Sequence, residues 1–411
     1  MSVLCESNPS RRAVLGSAGA LFAWSFVPRT AYAAPGSRDA RFMVIVLRGA
    51  LDGLSAVAPL GDPDYAALRA GIALTREGPN AALPLDGFFA LHPAMPNFAR
   101  LYAAGQASVI HAAATGYRER SHFDGQDVLE SGQPGPGQTQ SGWLNRLLLA
   151  LPQGERIAPA GALAVGATAP LILRGAAPVL GWAPPFIPRA GDDLAHRLLS
   201  LYGERDPMLG VALAQGLETE QLAVGGTKGP ARSAGPGMAG SAGMRRMAEG
   251  AARLMAADDG PRIAALALEG WDTHANEGGA TGRLAGLLGG LDGALAGVEE
   301  ILKPRWADTA ILVVTEFGRT ARVNGTVGTD HGTGTVAFLV GGAIRGGRVI
   351  TDWPGLSAKA LHEGRDLKPT TDVRAVAKGI AIDLFGVSAQ VLARDVFPDT
   401  NTVAPLRNLT M

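Results

Sequence analysis

The 411-residue chain has one cysteine, no net charge and no long hydrophobic run, and each lack excludes something. Lys and Arg number 37 and Asp and Glu number 37, so no global basic field attracts a polyphosphate backbone, and nucleic acid is not an expected partner. Gly and Pro are plentiful, at 56 and 27 residues, but they lie among apolar runs without a Gly-X-Y period, which excludes collagen-like and wholly disordered chains. The single cysteine, Cys5, lies in a segment that reads as a leader. A chain without it has neither disulfides nor thiolate ligands, so any metal is held by oxygen and imidazole nitrogen.

That leader spans residues 1–33. Arg11-Arg12 precede an apolar stretch from Ala18 to Val27, followed by Pro28 and the small-residue site Ala31-Tyr32-Ala33. This is the three-part pattern of a cleaved signal peptide, and the paired arginines point to the twin-arginine export machinery and a periplasmic or secreted destination. The apolar stretch is about half of the ~20 residues that a spanning helix needs, so no stable membrane span is expected.

Residues 34–411 read as one domain. Continuous apolar runs at Phe42 to Leu47, Ser108 to Ala114, Ile263 to Leu268, Ala310 to Val314 and Thr335 to Val340 predict strands buried on both faces. The spacing of Leu284, Leu287, Leu288, Leu291, Leu295, Val298 and Leu302 predicts a helix, and a second is expected from Asp372 to Phe385 with Thr371 or Asp372 as its cap. Strands alternating with helices imply an α/β fold, a three-layer sandwich around a mainly parallel central sheet, with ligands at the carboxyl ends of the strands. The Gly-, Ala- and Ser-rich stretch 225–244 reads as an insertion.

Polar residues cluster after these runs. Asp52 follows the first strand, Thr115, Arg118, Arg120, Ser121 and His122 the second, Asp272 and His274 the third, and Glu316, Asp330 and His331 the fourth. Asp, Glu and His converging without Cys suit a divalent ion such as Zn, Mn, Mg or Ca, which could bind a phosphate or sulfate ester and lower the pKa of an attacking hydroxyl. Arg48, Arg118 and Arg120 are candidate clamps for anionic oxygens. His92, His111, His196 and His362 lack such neighbours and read as structural or surface residues.

The stretches Leu47-Arg48-Gly49-Ala50-Leu51-Asp52-Gly53-Leu54, Arg120-Ser121-His122-Phe123-Asp124-Gly125-Gln126, Trp271-Asp272-Thr273-His274, Thr315-Glu316-Phe317-Gly318-Arg319-Thr320 and Asp330-His331-Gly332 together resemble a secreted bacterial family of unknown function, family 1501. That family is grouped with the alkaline phosphatase and sulfatase superfamily. The resemblance implies an alkaline phosphatase-like fold, one or two divalent ions and a small anionic ester as substrate. It implies further that Asp52 and Glu316 serve a second metal, that Asp272, His274 and His331 hold the first, with Asp330 beside them, and that Ser121 is the nucleophile, flanked by Arg120 and His122. Thr115 is the alternative attacking hydroxyl. Phe317 stands where the superfamily usually has a histidine, so a one-metal site and a non-catalytic binding or assembly protein both stay open as readings.

Overall fold

The computed structural model describes residues 39–151, 161–166, 168–184 and 240–411, with isolated positions between 185 and 239. The expected signal peptide and residues 225–239 of the expected insertion lie outside the described residues. Residues Ser241 to Met244, also expected in that insertion, instead form the first turn of a helix.

A nine-stranded sheet organises the molecule. In chain order its strands are β1 (Arg41–Arg48), β2 (Ala107–Ala114), β3 (Ala162–Val165), β4 (Val179–Trp182), β5 (Ile263–Glu269), β6 (Thr309–Thr315), β7 (Thr335–Val340), β8 (Arg348–Ile350) and β9 (Thr371–Asp372). Their spatial order is β8-β2-β7-β6-β1-β5-β3-β4, with β9 also pairing with β2. Strand β1 lies parallel to both β5 and β6, whereas β7 is antiparallel to β6 and β2. The reversal of β7 has a functional consequence. Its amino end lies at the edge where its antiparallel neighbours β6 and β2 finish, so the loop that enters β7 joins the loops that leave β1, β2, β5 and β6.

Alternation along β1 divides the core. Met43, Ile45 and Leu47 face one apolar layer, shared with α1 (Pro96–Ala103), α4 (Ser241–Ala256) and α5 (Arg283–Ile301). Phe42, Val44 and Val46 face the other, shared with α2 (His122–Ser131), α3 (Trp143–Ala150) and α6 (Val373–Phe385). All six of these side chains are fully buried. Each such burial contributes about 1.5–3 kcal/mol relative to leaving the group in water. That is why the run is apolar at every position, as a sheet covered by helices on both faces requires. The fold is therefore the expected three-layer α/β sandwich with a mainly parallel sheet.

Helix α5 follows the leucine spacing: Leu284, Leu288, Leu291, Leu295 and Val298 are buried against the sheet, while Leu287 only flanks the core. Helix α6 begins where expected, with the Asp372 carboxylate accepting from the Arg374 backbone N–H at 2.8 Å. Among the described residues no helix is long and apolar enough to cross a membrane.

Candidate metal centre

Four of the sequence-predicted residues meet at the carboxyl edge of the sheet. The loop leaving β5 supplies Asp272 and His274, the loop entering β7 supplies His331, and the first turn of α2 supplies His122. Nε2 of His331 lies 2.9 Å from Nε2 of His122 and 2.9 Å from Nε2 of His274. The Asp272 carboxylate lies 3.0 Å from His274 Nε2, 3.4 Å from His331 Nε2 and 3.6 Å from His122 Nε2. Ligand atoms of His122, Asp272 and His331 all fall within 4.8 Å of one another.

What decides the chemistry is the other nitrogen of each ring. His122 Nδ1 is 2.8 Å from Glu316 Oε1, His331 Nδ1 is 2.9 Å from the Arg120 carbonyl and His274 Nδ1 is 3.3 Å from Asp330 Oδ1. Each of these partners can only accept, so each Nδ1 carries the proton and each neutral ring turns an Nε2 lone pair inward. Three lone pairs and a carboxylate converging at hydrogen-bond distance repel one another unless a cation lies among them. The donor set therefore fits a metal ion, with the outer hydrogen bonds fixing tautomer and ring orientation as they do around protein-bound metals.

The surroundings are built for this geometry. Gly49, with φ at +120°, packs against the next loop so closely that a Cβ there would stand 2.5 Å from the Asp272 backbone nitrogen. Its N–H donates to Glu316 Oε1 at 2.9 Å, and Gln126 Nε2 and Thr315 Oγ1 complete the shell of that carboxylate. Phe317 is buried and stacks on the His122 ring, with centroids 5.0 Å apart. Arg120 adopts φ of +62°, which aims its carbonyl at His331.

Charges follow from these contacts. The hydrogen bond to Glu316 is the main reason that His122 titrates above the ordinary imidazole range. Burial, then the neighbouring His122 and the Arg319 guanidinium, push His331 below it. Burial alone would raise Asp272, but the Arg319 guanidinium, at 2.6 Å, outweighs it and holds the carboxyl below its usual range.

Several expectations are redirected. Asp52 does not join the cluster: it is buried, caps the turn Gly53–Ala56 through the Ser55 N–H and is ion-paired with buried Arg69. Glu316 holds His122 from behind, and Asp330 does the same for His274, so neither carboxylate reaches the shared centre. His122, expected beside the nucleophile, instead turns its Nε2 toward His331 and so joins the cluster. Arg120 is neutralised by Asp366 at 2.8 Å and Glu363 at 2.5 Å, so its guanidinium is not a free anion clamp. Arg48 is paired with Glu130 and Glu269, and Arg118 donates to the carbonyls of Thr115 and Tyr117. Thr115 is buried, and its hydroxyl accepts from the Tyr117 N–H at 3.2 Å. Ser121 sits at the amino end of α2, and its half-buried side chain makes no capping hydrogen bond. Its backbone N–H donates to the Tyr117 hydroxyl at 3.2 Å.

Sequence reasoning missed Glu277 and Arg69. Glu277 Oε2 accepts from Thr273 and Thr329, while burial and the Asp52 charge push its carboxyl up to about 8. Its other oxygen, Oε1, lies 3.6 Å from Arg69 Nη2. Neither residue lies in a strand-end motif, so no local signal marked them. His111, as expected, is structural: it is buried, bonds the Val57 carbonyl at 2.9 Å and is pushed down to about 4 by burial. His92 is likewise buried and bonds the Gly279 carbonyl.

The model of one family, protein of unknown function (DUF1501), matches residues 39–394. No curated protein matches the chain. Among solved structures, it is similar to a protein in the alkaline phosphatase superfamily from Vibrio parahaemolyticus, at 12% identity and a TM-score of 0.38 over 87% of this chain and 68% of that one. It is also similar to Ps i-CgsB, solved in complex with k-i-k-neocarrahexaose, at 12% identity and a TM-score of 0.39 over 89% and 77%. A third is the phosphonate monoester hydrolase of Agrobacterium radiobacter, at 13% identity and a TM-score of 0.33 over 87% and 73%.

Proposed function

We propose, for a chain that belongs to the family of unknown function DUF1501, that it is an exported metal-dependent hydrolase of phosphate or sulfate esters. The observation that carries the reading is the convergence of three Nε2 lone pairs on the Asp272 carboxylate, with every Nδ1 held by an acceptor. His122, Asp272, His274 and His331 would hold one ion. A nitrogen-rich set of this kind suits Zn or Mn better than Mg or Ca, which prefer oxygen. When bound, such an ion polarises an ester oxygen and lowers the pKa of a hydroxyl beside it.

The chain's own groups supply the rest. Ser121, with its hydroxyl free of capping duty, stands one residue before His122 at the amino end of a ten-residue helix, whose N–H groups favour an anion. Its Oγ attacks the phosphorus or sulfur as the bond to the alcohol oxygen breaks, the hydroxyl proton passing to the departing alcohol; water then cleaves the seryl ester, releasing phosphate or sulfate and restoring the serine hydroxyl. Arg319 keeps Asp272 ionised, and Glu316 and Asp330 keep the histidine rings oriented.

A second reading has its own observation. Asp52 and Glu316, the carboxylates that the family resemblance gives to a second metal, are already satisfied by Arg69 and by His122, Gly49 and Gln126. A binding or assembly protein that keeps a single metal on a hydrolase fold fits that arrangement. Elemental analysis of natively exported protein, with a panel of chromogenic phosphate and sulfate esters, separates the two. The hydrolase predicts about one equivalent of Zn or Mn, lost with turnover in His331→Ala, and metal retained without turnover in Ser121→Ala. Wild-type protein that is stable but turns over no ester after addition of Zn, Mn, Mg and Ca overturns it.

A further inference from the structure

A cleft of about 540 Å³ opens beside the candidate metal centre. Two of its lining residues reach the cluster directly. Asp330 holds the His274 ring, and Arg365 Nη2 donates to the His331 carbonyl at 2.8 Å. A third, Asn324, bridges the two walls by donating to Asp330 Oδ1 at 3.0 Å and to the His274 carbonyl at 2.9 Å. Both contacts reach the outer side of the cluster, so a molecule in the cleft lies behind the His274 ring, one imidazole away from the shared centre.

The lining discriminates among classes of molecule. Its charged residues are Asp64, Arg322, Asp330 and Arg365, two of each sign, so the cleft is not a trap for a second phosphate or sulfate. Leu68, Leu356 and Leu361 give it aliphatic patches, but no aromatic ring lines it, so a flat nucleobase has nothing to stack on. The polar groups among the leucines give a long alkyl chain no continuous apolar path. Asp330 is already occupied by His274 and Asn324, whereas among the described residues neither Asp64 nor Arg322 has an ion-pair or side-chain hydrogen-bond partner. One can only accept and the other can only donate. That combination, on aliphatic walls, matches a ring that carries many hydroxyls and exposes C–H faces.

We infer that this cleft binds the hydroxyl-rich, sugar-like alcohol of the ester, with Asp64 and Arg322 reading its hydroxyls while the anionic group lies at the metal centre. The inference rests on the proposed hydrolase reading for the identity of that anionic group. Its volume lies in the range of small-molecule sites, roughly 300–1,000 Å³, and is ample for one or two sugar rings.

Calorimetric binding to the full exported protein tests it with a panel of hexose and N-acetylhexosamine monophosphates and monosulfates. Inorganic phosphate and sulfate, phenyl phosphate and octyl phosphate are the comparisons. At least one sugar ester should bind at least tenfold more tightly than its inorganic anion and more tightly than the phenyl and octyl esters. Asp64→Asn and Arg322→Ala should each remove that gain while leaving affinity for the inorganic anion and the melting temperature unchanged. The inference is overturned if no sugar ester exceeds the inorganic anion, if the apolar esters bind best, or if both variants keep the sugar preference. Sugar-ester binding without turnover would sink the hydrolase and leave the cleft assigned. Turnover of phenyl phosphate without any sugar preference would sink the cleft alone.

Discussion

Asp330 and Asp272 illustrate how far a single side chain's role depends on one bond. Both are carboxylates two residues or fewer from a histidine of the cluster, and both were expected at the metal. The structure separates them: Asp272 faces the three Nε2 atoms, whereas Asp330 meets only the outer nitrogen of His274. Removing a partner of that outer kind typically weakens metal affinity by about 10- to 100-fold. Asp330→Ala should therefore lower Zn affinity by about that factor in a competition titration with a chelator. Asp272→Ala should abolish stoichiometric binding. Equal losses in the two variants would return Asp330 to the ligand set.

Glu277 provides a residue-scale prediction independent of any metal. Its carboxyl is raised from 4.5 to about 8 in the folded protein, by burial and then by the Asp52 charge. A group whose folded pKa is raised favours the native state fully below its unfolded pKa, and that advantage is lost as pH rises toward the folded value. Stability should accordingly fall between about pH 5 and 8, with a slope of up to ~1.4 kcal/mol per pH unit from this one site. Gln at 277 keeps an uncharged side chain there at every pH and keeps the carbonyl that accepts from Thr273 and Thr329. Glu277→Gln should flatten the slope in urea denaturation across this range. An unchanged slope would mean that the acid is ionised in the folded state.

At the scale of elements, the five apolar runs read from the sequence are the five central strands β2, β7, β6, β1 and β5, adjacent in the sheet. They were legible because both faces are covered and every position but Ser108, His111 and Thr335 is apolar. The edge strands β4 and β8 were not, since most of their residues are only half-buried or exposed and their three- to four-residue length leaves no period to read. The antiparallel sense of β7 was also invisible, because burial on both faces looks the same in either direction. The same holds within the site. His274, Asp272 and His331 were legible as polar residues in short loops between buried strands, but the Asp52 to Arg69 pair joins a strand end to a residue on a separate turn, and nothing local to Arg69 announces it.

The loops that deliver the ligands are locked together by glycines. A Cβ at Gly328 would lie 2.3 Å from the His274 carbonyl oxygen, a backbone atom that cannot swing away. Gly328→Ala should displace the segment Thr273 to His274, lowering the melting temperature and weakening metal binding together. Gly325, in the same loop with open space around its Cβ position, is the control, and Gly325→Ala should change neither. A Gly328→Ala protein with wild-type metal affinity would show that the loop carrying His274 tolerates movement without losing the centre.

For the whole molecule, the sheet makes the centre a late product of folding. Ligands come from α2, from the loop after β5 and from the loop before β7, the first and last of them 209 residues apart, and they meet only when β1, β5, β6 and β7 are side by side. A route that carries folded proteins would let this centre form and load before export. The paired Arg11-Arg12 ahead of the apolar leader are the residues on which that proposal depends. Replacing both by Lys should leave full-length precursor in the cytoplasmic fraction, folded and protease-resistant, while the wild-type chain appears outside it, shortened by about the leader. Mature protein lacking residues 1–33 contains no cysteine, so its melting temperature should be indifferent to reducing agent. Export of the Lys-Lys variant at the wild-type level, as an unfolded chain susceptible to protease on the way, would mean that the metal centre assembles only after the membrane is crossed.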